Sequence, residues 1–235
     1  MSFLLDWPRI TDHGPLKFML KVGLTGGIAS GKSVVGEMFV GLGAHLVQAD
    51  RIAHELMRPG QPVYNEVVRH FGGSILNPDL SVNRAQLAEA AFGTMTERTP
   101  SPLASRIQEL NRIVHPAVIR SQEEWMEEIG RKDPCAVAMV EAALIFEAGA
   151  AKRFDRLIVV TCRDQQRVER FAKRQKLALD AARKEVERRM AAQLPEADKI
   201  KAASYLIDNS GSLDQTRGFV RHIWEQLRPD ASSKN

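Results

Sequence analysis

The run Gly26-Gly27-Ile28-Ala29-Ser30-Gly31-Lys32-Ser33 satisfies the spacing G-x-x-x-x-G-K-[ST], and it constrains the chain more than anything else in its 235 residues. Background residue frequencies give such a pattern in a chain of this length on the order of one per cent of the time, and the flanking context cuts that further. Met19 to Leu24 is a short apolar run that reads as a strand, and Val34 to Leu42 reads as a helix stopped at Gly43. Ala44 to Val47 follows as a second strand, which completes a β-α-β unit with the glycine-rich loop at the turn into its helix. Glycines there let the backbone curl so that several N–H groups point inward at phosphate oxygens, and the helix beginning near Lys32 adds the positive end of its dipole. The expected ATP contacts are therefore Gly26, Gly27, Ile28, Ala29, Ser30, Gly31, Lys32, Ser33 and Val34. Lys32 is expected to neutralise the β and γ phosphates, and the Ser33 hydroxyl to bind a Mg²⁺ ion that bridges them.

The rest of the chain reads as an α/β fold with a parallel sheet flanked by helices. Cys135 to Val140 and Arg156 to Val160 are near-continuous apolar runs, as expected for parallel strands covered on both faces, and Tyr205 to Ile207 is a last strand. Between the second and third strands lies a helical block: Val63 to Phe71, Arg84 to Phe92 after the break at Gly72-Gly73, and an amphipathic stretch from Leu103 to Ile129. Asp164 to Ala192 reads as a charged helical hairpin and Leu213 to Leu227 as a closing helix. Gly93 to Ser105 is a polar loop, and Ala231 to Asn235 reads as a frayed end. Residues 1–18 show no periodicity and are expected to be a dispensable extension.

Composition excludes more than it selects. The formal net charge of +4 suits a protein that gathers polyphosphates as well as one that binds nucleic acid. Cys135 and Cys162 are far apart in apolar segments that read as buried strands, which argues against a disulfide framework or a zinc site and for a reducing cytoplasm. No apolar run approaches the roughly 20 residues of a membrane helix, and Met1 to Phe18 lacks an uninterrupted signal-peptide core.

Two features carry chemistry beyond the loop. Asp50 follows the second strand, at the carboxyl edge where α/β sheets place their ligands. There it either takes the proton of an acceptor hydroxyl or caps a helix starting at Arg51; residue types alone leave both open. Arg163, Arg167, Arg170 and Arg174 are spaced four, three and four apart and share one helical face. Such a stripe is either well hydrated or covered by anions, as in a lid closing over ATP and a charged acceptor.

Taken together, Leu24 to Ser33, Gln48-Ala49-Asp50-Arg51-Ile52-Ala53-His54, Leu110 to Pro116, Ala143 to Glu147, Arg189 to Gln193 with Lys199, and Ile207-Asp208-Asn209 resemble the dephospho-coenzyme A kinase family from about Met19 to Leu227. The resemblance implies ATP-dependent phosphorylation of the ribose 3′-hydroxyl of dephospho-CoA by a three-part P-loop kinase. Its parts would be a nucleotide-binding core over residues 19–58, 133–161 and 203–230, a helical acceptor domain over 59–132 and a helical lid over 162–202. It also implies that Asp50 is the catalytic aspartate beside Lys32, that Arg170 and Arg174 are lid arginines, and that His115, before Pro116 at the end of a helix, touches the acceptor. The chain departs from the family where Gln48 stands for an aspartate and Ala143 for a proline, and its Gly93 to Ser105 loop is longer. Glu141 takes the acidic position at the end of the third strand, either to hold a water on Mg²⁺ or as a solvated strand end. The rival readings are another nucleoside or nucleotide kinase, a nucleotide switch, for which the guanine-reading Asn-Lys-x-Asp motif is missing, and a nucleic-acid binder. ATP and dephospho-CoA are the expected partners, with no nucleic acid and no membrane.

Overall fold

Strands that are apolar on both faces must be covered on both faces, and the sheet is built accordingly. Leu20–Gly26 (β1), His45–Gln48 (β2), Val137–Glu141 (β3), Arg156–Thr161 (β4) and Tyr205–Asp208 (β5) pair in parallel in the order β2-β3-β1-β4-β5. This computed structural model describes residues 19–92 and 104–228. The N-terminal extension, most of the polar loop after Phe92 and the C-terminal tail lie outside the described residues.

Alternation along β3 shows how the two faces are filled. Val137 and Met139 join a core with Val22, Leu24, Ile158, Val160 and Ile207, closed by Lys32–Val40 (α1) and Leu213–Leu227 (α9) through Val35, Phe39, Val220 and Ile223. Ala138 and Val140 point the other way, onto Met126 of the long helix Ala104–Lys132 (α5). The closing helix is fixed at its start by a capping box, in which the Ser212 hydroxyl accepts from the Gln215 N–H and the Gln215 side chain accepts from the Ser212 N–H.

Two satellite helical groups have cores of their own beside the sheet. Ala49–Leu56 (α2), Pro62–Phe71 (α3), Arg84–Phe92 (α4) and α5 share a core of Val63, Val67, Phe71, Ile75, Leu87, Val114 and Val118, against which Ile52, Ala53, Leu56 and Met57 pack. Asp164–Gln175 (α6), Leu179–Ala191 (α7) and Glu196–Lys201 (α8) form the second group, whose core of Val168, Phe171, Ala172, Ala182 and Val186 includes Ile28 from the glycine-rich loop. That apolar contact ties the hairpin to the loop before any polar interaction is considered. Among the described residues no helix is long and apolar enough to cross a membrane.

Two expectations are corrected. Cys135 is exposed, in the turn before β3, whereas Cys162 is buried just past β4. The helix carrying His115 does not end at Pro116 but runs on to Lys132. Proline removes one backbone hydrogen bond, and packing of Val114, Val118 and Met126 on both sides of it outweighs that loss. The short α8 is a further helix that the apolar pattern did not announce, because its one buried side chain is a lysine, Lys199.

Candidate active site

The carboxyl ends of β1, β2 and β3 are in register, with Leu24 beside Glu141 and Glu141 beside Gln48, so whatever follows each strand opens into one crevice. After β1 the chain turns through the glycine-rich loop. Gly31 has φ 96°, a conformation costly for any other residue, and stands immediately before the first residue of α1. At Gly27 the constraint is steric, since an added Cβ would lie 2.1 Å from an Arg167 guanidinium nitrogen. The loop is held from outside as well: the Asn209 amide donates to the Ser30 carbonyl at 2.9 Å, and the Thr216 hydroxyl fixes that amide by donating to its oxygen at 2.9 Å. The Ser30 hydroxyl is buried without a hydrogen-bond partner among the described residues.

Lys32 folds back over the loop and donates to the carbonyls of Gly26 at 3.0 Å and Gly27 at 3.1 Å. Burial draws its ammonium down to about 8; the Glu141 and Asp50 carboxylates oppose the shift, while Lys199 and Arg174 reinforce it. Phosphates arriving beside it favour the charged form and raise that value. ATP binding above pH 8 is therefore expected to take up a proton, and affinity to fall as pH rises from about 8 towards the higher pKa of the complex. Calorimetry in buffers of different ionisation enthalpy checks this: roughly 0.9 proton per ATP at pH 9, falling to about 0.1 at pH 7, the difference being absent from a Lys32→Arg variant.

Ser33, Glu141 and Gln48 form a chain across the crevice. The Ser33 hydroxyl donates to one Glu141 oxygen at 2.7 Å and the Gln48 amide donates to the other at 3.0 Å. Glu141 is buried and hydrogen-bonded, not a solvated strand end. A hydroxyl and one carboxylate are hard oxygen donors, which fits a Mg²⁺ ion that takes its remaining ligands from phosphates and water. No group of three or more His, Cys, Asp or Glu side chains able to hold a metal by themselves occurs among the described residues.

Asp50 is the second residue of α2, whose N-cap is Gln48 and which has no side-chain capping bond, so Asp50 is not the cap. Its charge is felt by Lys32 on one side. On the other it lines a cavity of about 300 Å³ with Asn111, His115, Val118 and Leu144. His115 sits in the body of α5, and burial pulls its pKa below the usual imidazole range, which keeps it neutral near pH 7. Sequence reasoning did not pick out this largely apolar wall, because its residues come from α2, α5 and the segment after β3.

The arginines do not form the expected common stripe. Arg163 precedes α6 and is exposed, as is Arg174, but Arg167 is wholly buried. Arg167 donates to the Ile28 carbonyl at 3.0 Å and to Glu196 of α8 at 2.8 Å. Arg170 donates to the carbonyls of Ser30 at 3.3 Å and Asn209 at 2.9 Å. Arg174 lies with its guanidinium 5.7 Å from the Phe171 ring. Equal spacing along a helix puts side chains on one face, but that face is partly covered by the loop itself, so its members meet different surroundings. Lys199, also buried, forms an ion pair with Glu147 at 2.8 Å, donates to Gln193 at 3.1 Å and anchors the far end of the same helical group.

Arg167 was legible only as one of the spaced arginines, and its partner Glu196 was not legible at all, because a charged pair 29 residues apart carries no signal. Removing Glu196 would strand a buried guanidinium whose other carboxylate, Asp164, is 3.6 Å away and exposed. Glu196→Ala is expected to lose roughly 3 kcal/mol in urea unfolding. Because Arg167 holds the loop, the KM for ATP should rise in the same variant; an unchanged midpoint would show that Asp164 and solvent neutralise the guanidinium.

Comparison with known proteins accords with this layout. Residues 20–215 match the family described as Dephospho-CoA kinase. A dephospho-CoA kinase of Moorella thermoacetica is 37% identical over 210 residues, covering 89% of this chain and 93% of the relative. One from Aquifex aeolicus is 35% identical over 212 residues, covering 90% of this chain and 100% of the relative. The crystal structure of TT1252 from Thermus thermophilus superposes with a TM-score of 0.70 at 28% identity, covering 90% of this chain and 99% of that one. A match that runs from the first strand into the last helix takes in the loop, the crevice and both helical groups, and by it the chain belongs to the dephospho-CoA kinase family.

Proposed function

We propose that this chain transfers the γ-phosphoryl group of ATP to the ribose 3′-hydroxyl of dephospho-CoA, giving coenzyme A and ADP. The observation that carries the reading is the position of Asp50, between Lys32 of the phosphate loop and a cavity large enough for part of an acceptor. In this reading Gly26 to Val34 cradle the triphosphate and Lys32 leaves the loop carbonyls to neutralise the charge gathering on the transferring group. Asp50 takes the proton of the 3′-hydroxyl as its oxygen bonds to the γ-phosphorus and the bond from that phosphorus to the β-γ bridging oxygen breaks. His115 lines the acceptor's side, and Arg170 and Arg174 belong to the lid, with Arg170 acting through the loop carbonyl it holds.

Ser33 and, through a water, Glu141 would hold a Mg²⁺ ion that neutralises the phosphate oxygens. Gln48 keeps the Glu141 carboxylate turned towards Ser33. Residues 19–58, 133–161 and 203–230 serve as nucleotide core, 59–132 as acceptor domain and 162–202 as lid, and the enzyme works in the cytoplasm. A coupled assay of ADP release tests the reading: dephospho-CoA should support turnover with MgATP, and nucleosides and nucleoside monophosphates far less. Comparable turnover of a nucleoside monophosphate would instead make this a nucleotide kinase.

A further inference from the structure

The acceptor in that reaction carries a diphosphate on the 5′ side of the ribose, and the cavity beside Asp50 has little to offer it. The cation on that cavity's wall, Arg153, is already committed to Glu123 at 2.6 Å, to Gln122 at 3.0 Å and to the Ile119 carbonyl at 3.4 Å. Arg170 is likewise spent on loop carbonyls. A second cavity of about 450 Å³ adjoins the first, with Met57 lining both. His54, Arg58, Asn77, Asn83 and Arg84 line it, between the end of α2 and the connection from α3 to α4.

This wall is ordered by its own bonds. Asn83 donates to Asn77 at 2.8 Å and Asn77 to the Ser81 hydroxyl at 3.0 Å, beside an isolated bridge between Leu76 and Val82. Asn83 also accepts from the N–H groups of Ala85 and Gln86, which sets the start of α4 and therefore Arg84. Among the described residues no carboxylate lies within 4 Å of Arg84. Arg58 is held by Glu55 at 2.7 Å, an exposed pair that a phosphate can displace cheaply.

The spacing fits the chemistry. His54 is one helical turn beyond Asp50 on the same face of α2, about 6 Å along the axis, and Arg58 follows the C-cap Met57, just past the end of the helix. In a 5′-nucleotide the first phosphorus is about five bonds of about 1.5 Å from the 3′-oxygen, which spans roughly 6 Å when the path folds back through the sugar. We propose that the second cavity binds the diphosphate of the acceptor, with Arg58 and Arg84 as its charged ligands and His54 at the ribose end. Helix α2 then acts as a ruler, placing the 3′-hydroxyl at Asp50 when the diphosphate is seated at its other end.

This inference rests on the kinase reading above, and one set of assays separates their failures. If the unaltered enzyme does not phosphorylate dephospho-CoA, the kinase reading fails and the subsite with it. If it does, Arg58→Ala with Arg84→Ala should raise the KM for dephospho-CoA roughly 10- to 100-fold, the loss expected of two charge-assisted hydrogen bonds in a solvent-accessible site. The KM for ATP and the melting temperature should stay unchanged, kcat should fall less than KM rises, and the salt dependence of the acceptor KM should flatten. Arg58→Lys with Arg84→Lys should recover part of the affinity. An unchanged acceptor KM overturns the proposal, and so does a rise in the KM for ATP equal to that for the acceptor, since either leaves these arginines a merely structural role.

Discussion

Lys32→Ala is expected to lower kcat by roughly 10³-fold or more while the protein stays folded, since removing a single transition-state donor already costs about 10² to 10³ in comparable sites and this one carries a full charge. Its side chain contributes little to the apolar core. It touches two loop carbonyls that can turn to water when it is gone, so circular dichroism and the melting temperature should change little. The loss should fall on kcat more than on the KM for ATP, because the charge on the γ-phosphoryl oxygens redistributes as the group transfers and the backbone N–H groups of the loop still hold the ground-state triphosphate. Single-turnover measurement at saturating MgATP checks the chemical step directly. A folded variant with near-wild-type kcat would remove Lys32 from the mechanism, and with it the reading of the loop as a catalytic site.

Asp50→Asn is the second large effect and should slow turnover roughly 10²- to 10⁴-fold, the usual worth of a positioned general base. The amide is nearly isosteric and cannot accept the hydroxyl proton as a carboxylate does. Because Gln48, not Asp50, is the N-cap of α2 and Asp50 makes no capping bond, stability should barely move, so the kinetic and structural roles separate cleanly. ATP affinity should also be nearly retained, apart from a small change in Lys32 as a neighbouring negative charge is lost. Wild-type kcat for Asp50→Asn with dephospho-CoA would mean that the hydroxyl needs no base here, which a loose phosphoryl-transfer transition state would allow.

Much of this molecule is legible residue by residue because the signals are local. A glycine-rich turn between an apolar run and a helix requires only its own dozen residues, so the loop, its lysine and its serine lie where the spacing puts them. Parallel strands buried on both faces announce themselves as short apolar runs, and all five were readable, Glu141 at the end of β3 included. Asp50 was readable as a position at a strand end but not as a role, because a cap and a base share the same residue type and the same place in the chain. The four arginines show the opposite case. Their spacing was correct and their shared environment was not, since burial of Arg167 depends on the loop, α6 and α8 meeting around it.

Local chemistry in the sequence thus determined the phosphate loop, the order of strands and helices and the family. Tertiary structure alone decided that Glu141 faces Ser33 and Gln48, that Lys32 is buried enough to titrate near 8, and that Arg167 is a support under the loop. It also decided that Met57 lines two cavities. The physical reason is that backbone conformation is set by neighbours in the chain, whereas desolvation, ion pairing and cavity shape are set by groups brought together from distant elements, whose separation along the chain leaves no periodic trace.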